Sequence, residues 1–169
     1  MQKITPFLWF DKNAEEAIKF YISVFNAAPW GGKNSKIIHI ERYPEGKQIG
    51  SMKDMEGKVL TAIFELAGQR FMALDGGPIL KFNESISFYV ECADQEEVDY
   101  FWGKFSAVPE SEQCGWLKDK FSLSWQIVPK QLGELLTGPD KEKAGRVMDA
   151  MLQMKKIDIA GLEKAFEGK

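Results

Sequence analysis

Few side chains in this sequence have the chemistry of a catalyst, and none of them forms a recognisable catalytic spacing. His39 is the single histidine and is a candidate general base, because imidazole titrates near neutral pH. The alternative is a partly exposed strand residue. Cys114 is a candidate nucleophile if Lys118 or Lys120 favours its thiolate, and a free thiol beside a loop is the alternative. The titratable side chains that complete the set of candidates are Glu41, Glu65, Asp75 and Glu91.

Other side chains have the composition of a small-molecule pocket. Segment 121–128 alternates between an apolar row and a polar row, and the polar row consists of Ser122, Ser124 and Gln126. Segment 86–92 adds Ser87 and Tyr89 with the same polar character, and the candidate aromatic walls are Phe7, Trp9 and Trp116. Hydroxyls, an amide and a phenol suit a neutral polar ligand better than a phosphate. The alternative is solvent-facing polarity beside core aromatics.

The bulk composition limits the possible partners. The chain has 169 residues, of which 44% are hydrophobic and 28% charged, as in an ordinary globular protein. Its 22 basic and 25 acidic residues are interspersed, so no basic stripe predicts nucleic-acid binding. No apolar run approaches the roughly 20 residues that span a bilayer, and the start has no signal core. We expect a cytoplasmic protein without a membrane partner, and Cys92 and Cys114 as free thiols.

The elements that position these residues come from a repeated unit. Residues 13–21 and 94–102 each open with an N-cap side chain, Asn13 or Asp94, followed by two acidic residues and helical apolar spacing. Each segment follows a β-rich run, residues 4–10 or 86–92. A strand followed by a capped helix, twice, indicates a duplicated module.

The remaining segments complete the predicted domain organisation. Strands are expected over 36–43, 59–66 and 70–75, the last two joined as a hairpin at Ala67-Gly68-Gln69, and in the second copy over 113–117 and 121–128. Asp140 and Asp158 are predicted caps of two C-terminal amphipathic helices. We therefore expect a domain over 1–129, with module one at 1–78 and module two at 84–129, and a helical extension over 130–169.

Several motifs resemble the PhnB-like branch of the vicinal oxygen chelate superfamily, to which glyoxalase I, bleomycin-resistance proteins and extradiol dioxygenases belong. The resemblance is carried by Pro6-Phe7-Leu8-Trp9-Phe10, by Asn13-Ala14-Glu15-Glu16-Ala17, and by the run 113–119 that begins Gln113-Cys114-Gly115-Trp116. Segment 124–129 and the tail 154–158 extend it to most of the chain. It implies an α+β fold in which paired βαβββ modules form a U-shaped mixed sheet around a ligand cup, and a homodimer.

The superfamily's metalloenzymes take four ligands, His, Glu or Gln, from the first and fourth strands of each module. The matching positions here are Thr5, Ala73 or Leu74, Ser87 and Gln126. A shift of one residue along the first strands gives Ile4, Pro6, Ile86 or Phe88, which are no better as ligands. Asp75 and Gln126 alone would leave a metal half-coordinated. We therefore expect no bound metal and no cofactor.

This branch also carries the label of a demethylubiquinone methyltransferase. The nearest glycine pairs are Gly31-Gly32 and Gly76-Gly77, and neither stands between a strand and a helix, so both are expected to be turns. The preferred hypothesis is a protein that binds a small organic molecule in the cup, with or without metal-independent chemistry. The alternatives are a metal-dependent lyase or dioxygenase, a methyltransferase, and a protein-interaction module built on the C-terminal helices.

Overall fold

The computed structural model describes residues 2–32, 34–46 and 54–169. The chain divides into two compact units, Met1–Phe82 and Asn83–Lys169, and each has its own mixed sheet and helices. The predicted α+β class, with helices at the C-terminus, is confirmed. None of the described helices is both long and apolar enough to cross a membrane.

The first unit has the predicted strand–helix–three-strand order. It contains β1 (Phe7–Phe10), α1 (Ala14–Asn26), β2 (Lys36–Arg42), β3 (Val59–Leu66) and β4 (Gln69–Asp75). The sheet order is β1-β4-β3-β2, with β1 parallel to β4 and the other pairs antiparallel. α1 packs on β3 and β4, and its predicted stripe is buried. The β3–β4 hairpin turns at Ala67 and Gly68, both with positive φ, as a two-residue hairpin turn requires.

The cap of α1 differs from the prediction. Asn13 makes no side-chain cap hydrogen bond. Instead Oδ1 of Asp75, at the end of β4, accepts from the Ala14 amide at 2.8 Å, while Oδ2 accepts from the Val59 amide at 2.9 Å. A carboxylate from across the sheet therefore satisfies the first amide of the helix, which a local sequence pattern does not reveal.

The alternation predicted for β2 is interrupted by an irregularity. Ile37 pairs with Phe64 and His39 pairs with Ile63, so Ile38 is the extra residue between two consecutive pairs. Ile38 is accordingly exposed, whereas regular alternation would place it with Ile40 on one face. A bulge inserts one unpaired residue and shifts the face of its neighbours.

The second unit repeats the strand and helix but has three strands. It contains β5 (Phe88–Cys92), α2 (Gln95–Phe105), a 3-10 turn (Pro109–Ser111), β6 (Trp116–Lys118) and β7 (Ser124–Pro129). The order is β5-β7-β6, with β5 parallel to β7 and β6 antiparallel to it. α3 (Lys130–Thr137), α4 (Lys141–Leu152) and α5 (Ile159–Glu167) follow. The second copy is shorter than the first, as expected.

The face of the second sheet under α2 is its apolar core. The Trp125 ring stacks on Phe105 of α2 with centroids 4.4 Å apart. Asp94 accepts from the Glu97 amide and Glu97 accepts from the Ala93 amide, which confirms the predicted cap of α2 as a reciprocal capping box.

The C-terminal helices belong to the core of the second unit. Val128, Leu132, Val147, Ile157 and Leu162 form one buried cluster. The predicted cap of α4 is confirmed, because Asp140 accepts from two first-turn amides, but Asp158 makes no such bond. The predicted α4 stripe is only partly buried, since Met148 and Leu152 lie on its exposed flank.

Candidate functional site

Tyr89, Ser124 and Gln126 share the face of the second sheet that lies opposite α2. Ser122, predicted in the same polar row, instead lies in the connection between β6 and β7, where its φ is +67°. Strand pairing sets Tyr89 beside Gln126, Gln126 beside Trp116, and Ser124 beside Lys118. Alternation along β7 sends Trp125 and Ile127 to the α2 side and leaves Ser124 and Gln126 on the other. We call the group Tyr89, Trp116, Ser124, Gln126 and the adjoining Ser87 the second-sheet face.

Hydrogen bonding leaves unused capacity on the second-sheet face. Nε2 of Gln126 donates to Oγ of Ser87 at 2.8 Å, so the Gln126 carbonyl oxygen and the Ser87 hydroxyl proton remain for a further partner. Ser124 is 1% exposed, and its Oγ has no partner among the described residues. A buried hydroxyl without a partner costs about 1–3 kcal/mol, so this group is unusual in a folded protein.

The second-sheet face carries few charges, and the exposed Glu91, one pleat from Tyr89 on β5, is a carboxylate on it. Burial raises the pKa of Tyr89, with smaller contributions from nearby Glu91 and Cys92, so its phenol is protonated and can donate. Lys118 forms an ion pair with Glu84, and that hydrogen bond lowers the pKa of Glu84. A surface with few charges and several hydrogen-bonding groups, next to the Trp116 indole, can bind an uncharged aromatic molecule.

The residues predicted in the first copy share the face of its sheet opposite α1. Phe7 pairs with Met72, Met72 with Ile63, and Ile63 with His39, which forms one row across four strands. Phe7 is 49% exposed and His39 is also exposed. Thr5 precedes β1 and is half-buried. This surface is more apolar than the second-sheet face, and His39 is the only imidazole on it.

Trp9 lies on the same face as Phe7 and is fixed over a glycine. Its Nε1 donates to the Gly77 carbonyl at 3.0 Å. A Cβ atom at Gly76 would lie 2.1 Å from the indole ring, so only glycine permits this contact. The glycine pair after β4 therefore accommodates an indole of the protein itself.

Cys114 occupies a turn that binds the C-terminal segment. Its Sγ donates to the Met151 carbonyl at 3.4 Å, and its backbone has φ of +49°. The thiol is thus directed to the end of α4, and none of the hydrogen bonds described for it involves an imidazole. Cys92 is buried in the core, where burial raises the pKa of its thiol to about 12.

A separate charged cleft of about 440 Å³ lies at the N-terminal end of α1. Three of its charged side chains pair with one another: Glu15 pairs with Lys19 at 2.7 Å and with Arg42 at 2.8 Å. The Arg42 hydrogen bond, followed by that of Lys19, lowers the pKa of Glu15 to about 2. Asp75, which also lines the cleft, accepts from two backbone amides. These contacts give Glu15, Arg42 and Asp75 structural roles in the first unit, so their presence in the cleft does not require a ligand.

The residues present do not fit the metal that the superfamily implies. Ala73 is buried on the α1 side, and Leu74 offers no donor atom. In the second unit the matching positions are Ser87 and Gln126, which offer one hydroxyl and one amide oxygen, both neutral and weak ligands for a divalent metal. Among the residues that the structure describes, no three His, Cys, Asp or Glu side chains are grouped to hold a metal ion.

The glycine pairs do not fit an S-adenosylmethionine site either. Gly76 is covered by the Trp9 indole, and the adjacent Asp75 is 1% exposed with both carboxylate oxygens bonded to amides. An acidic residue that binds ribose hydroxyls must be accessible to them. Gly31 and Gly32 follow α1 and precede β2, which is the wrong order for a loop that opens a helix.

Sequence reasoning missed two polar residues that organise the second unit. Asp119 is buried and accepts from the Phe121 and Leu123 amides and from Nε1 of Trp125. Gln95 binds both the Ile157 carbonyl and the Ile159 amide. An aspartate that opens a turn was a detectable signal for Asp119, but the partner of Gln95 lies more than sixty residues away.

Comparison with known proteins identifies the family. The family model described as 3-demethylubiquinone-9 3-methyltransferase matches residues 2–128. A PhnB protein from Bacillus cereus is 38% identical, with 76% of this chain covering 99% of that one at a TM-score of 0.60. Protein PA1353 from Pseudomonas aeruginosa is 15% identical over 76% of this chain and 98% of its own, and its TM-score of 0.56 supports the fold alone. No curated protein matches. The chain therefore belongs to the 3-demethylubiquinone-9 3-methyltransferase family of PhnB-like proteins.

Proposed function

We propose that this protein binds a small, neutral, aromatic organic molecule at the second-sheet face, without a metal or S-adenosylmethionine. The observation that carries the proposal is the buried Oγ of Ser124, which has no partner among the described residues. Because Ser124 is 1% exposed, a ligand reaches this hydroxyl only when the side chains that cover it move aside. An acceptor placed there would then remove the cost of leaving the hydroxyl unpaired. The Gln126 carbonyl oxygen and the Ser87 hydroxyl supply an acceptor and a donor beside it.

The charges beside the second-sheet face favour an uncharged ligand over a phosphate. Lys118 is the cation on the strand that carries Trp116, and it pairs with Glu84. Glu91 lies one pleat from Tyr89 on β5 and would repel an anion. Binding, with or without metal-independent chemistry, is the proposed activity. The homodimer and the cytoplasmic location are part of the same proposal.

The test uses 4-hydroxybenzamide as the neutral probe and 4-hydroxyphenylphosphonate as the charged control. Each is titrated into ¹⁵N-labelled full-length protein while the indole N–H signals are followed by NMR, with the Trp116 signal assigned by Trp116→Phe. We expect the neutral probe to move the Trp116 signal. The Trp125 signal should stay unchanged, because that indole is bonded to Asp119. The phosphonate should bind at least ten times more weakly.

Ser124→Ala supplies the specific variant, with Ser85→Ala on the exposed preceding loop as its matched control. Removing one neutral hydrogen bond weakens binding about 2–10-fold, by roughly 0.5–1.5 kcal/mol. The free protein should not lose stability, because the described ranges contain no hydrogen-bond partner that the substitution would remove. Equal binding of both probes, a response confined to indoles other than Trp116, or equal affinities of the two variants would refute the proposal.

A further inference from the structure

The C-terminal extension is bonded to the turn that precedes Trp116. The Cys114 amide donates to the Met154 carbonyl and the Gly115 amide to the Lys155 carbonyl, each at 2.8 Å. The Cys114 thiol donates to Met151. Three successive bonds thus join one turn to the segment between α4 and α5.

The turn itself is a strained two-residue connection. Gln113 and Trp116 bond to each other in both directions, and the central residues Cys114 and Gly115 have φ of +49° and +85°. A non-glycine residue in the left-handed region costs about 1–2 kcal/mol. The central amides of such a turn are not used inside it, so the extension satisfies donors that would otherwise face water. Its contacts therefore hold the turn in this conformation.

A continuous series of bonds leads from the turn to the proposed ligand surface. Trp116 pairs with Gln126, and Gln126 donates to Ser87. The Gly115 carbonyl accepts from the Ile127 amide at 2.8 Å, which fixes the turn to β7. A displacement of the turn must move Trp116, because the two are consecutive along the backbone.

We propose that docking of the C-terminal extension on the Cys114–Gly115 turn positions Trp116 and so controls ligand affinity at the second-sheet face. The inference rests on the proposed function and adds its regulation. The family model matches residues 2–128, so the controlling segment lies outside the matched range and the turn it contacts lies inside it. The coupling is reciprocal: a bound ligand stabilises the docked extension by the same free energy by which the docked extension strengthens ligand binding.

A second attachment allows the extension to be loosened without touching the proposed site. On α2, Nε2 of Gln95 donates to the Ile157 carbonyl and its Oε1 accepts from the Ile159 amide. Lys156 pairs with Asp99 at 2.5 Å. α2 covers the opposite face of the sheet from Trp116. Gln95 also donates to Asp99 within α2 at 3.0 Å, and none of the bonds described for these side chains involves Trp116.

The experiment compares the full-length Gln95→Ala/Lys156→Ala variant with Gln131→Ala. Gln131 is a suitable control because it donates one comparable bond, to the Ala93 carbonyl, and does not contact segment 151–159 in the bonds described. Three quantities are measured: amide hydrogen exchange at Cys114 and Gly115, the Trp116 indole N–H position, and the affinity for 4-hydroxybenzamide. The first two need no ligand.

In the double variant we expect at least tenfold faster exchange at both amides, a displaced Trp116 signal, and at least threefold weaker probe binding. The control should match the wild type in all three. Saturating probe should slow the exchange in the wild type. Faster exchange with an unmoved Trp116 signal would overturn the inference while leaving the proposed function standing. If the wild type binds no probe but the Trp116 signal is displaced in the double variant, the proposed function is rejected, while the positioning of Trp116 by the extension is retained.

Discussion

Gly76→Ala should displace Trp9 from the first sheet. In the native chain the indole covers Gly76 and donates to the Gly77 carbonyl. A Cβ atom at position 76 would stand 2.1, 2.3 and 2.6 Å from three ring atoms, where ordinary contact begins near 3.4 Å. The ring must therefore move by more than an ångström. The φ of Gly76 is not in the left-handed region, so the effect comes from the ring and not from backbone strain.

The expected destabilisation follows from two contributions. Overpacking a filled contact costs about 1–3 kcal/mol. Loss of the indole hydrogen bond adds about 1 kcal/mol. Gly76→Ala should therefore lower the free energy of unfolding by about 2–4 kcal/mol. In a Trp9→Ala background neither contribution exists, and the same substitution should cost less than about 1 kcal/mol.

A double-mutant cycle measures this difference. Urea unfolding of wild type, Gly76→Ala, Trp9→Ala and the double variant is followed through NMR signals of Ala62 and Ala73, which lie in the buried core of the first unit. We expect a coupling free energy of about 2 kcal/mol between positions 9 and 76. Gly68→Ala is the control. Gly68 lies in the hairpin turn with a positive φ and open space around it, so this substitution reports the cost of a positive φ without a steric clash. Equal costs of Gly76→Ala in both backgrounds would refute the reasoning.

Two further predictions concern charged groups of the first unit. Asp75→Asn replaces one acceptor with a donor facing a backbone amide, and should destabilise the chain by about 2–3 kcal/mol in urea unfolding, whereas Asp11→Asn on the exposed surface should not. The pKa of Glu15 is lowered from 4.5 to about 2, so its stabilisation is complete above pH 4.5 and is lost as pH falls toward 2. Because the pair is partly exposed, we expect about 1 kcal/mol, measured from urea midpoints between pH 6 and 2.5. Arg42→Gln should flatten that dependence, and an unchanged pH profile would contradict the assignment.

Local patterns predicted the elements well because their signals are local. Alternation located β3 and β4 within a residue, and the Asp94 cap with Glu97 marked the start of α2 correctly. The turn at Ala67-Gly68 was likewise evident from its glycine, a residue that adopts positive φ readily, although Ala67 also has a positive φ. The β2 irregularity was not predictable, because a bulge depends on the register with β3 rather than on the β2 residues themselves.

The hydrogen-bond partners of the candidate site residues could not be predicted from the sequence, because they come from distant parts of the chain. Alternation assigned Ser124 and Gln126 to the face opposite Trp125, as the structure shows. The same reasoning could not find that Ser124 has no partner or that Gln126 is bonded to Ser87, since both facts depend on side chains from separate strands. The partner of Cys114 was also beyond reach, because it lies on α4, thirty-seven residues along the chain. Whether these residues bind a ligand stays a prediction.

The family name and the geometry lead to different expectations, and particular atoms decide between them. A methyltransferase site would use a glycine turn and an accessible acidic residue, yet here the Trp9 ring occupies the space over Gly76 and two amides occupy the oxygens of Asp75. These groups are saturated by the fold. The second-sheet face shows the opposite condition, because the buried hydroxyl of Ser124 has no hydrogen-bond partner in the part of the chain that the structure describes. Unused hydrogen-bonding capacity is what a ligand can exploit, so the search for a substrate should begin at Trp116 and not at the glycine pair.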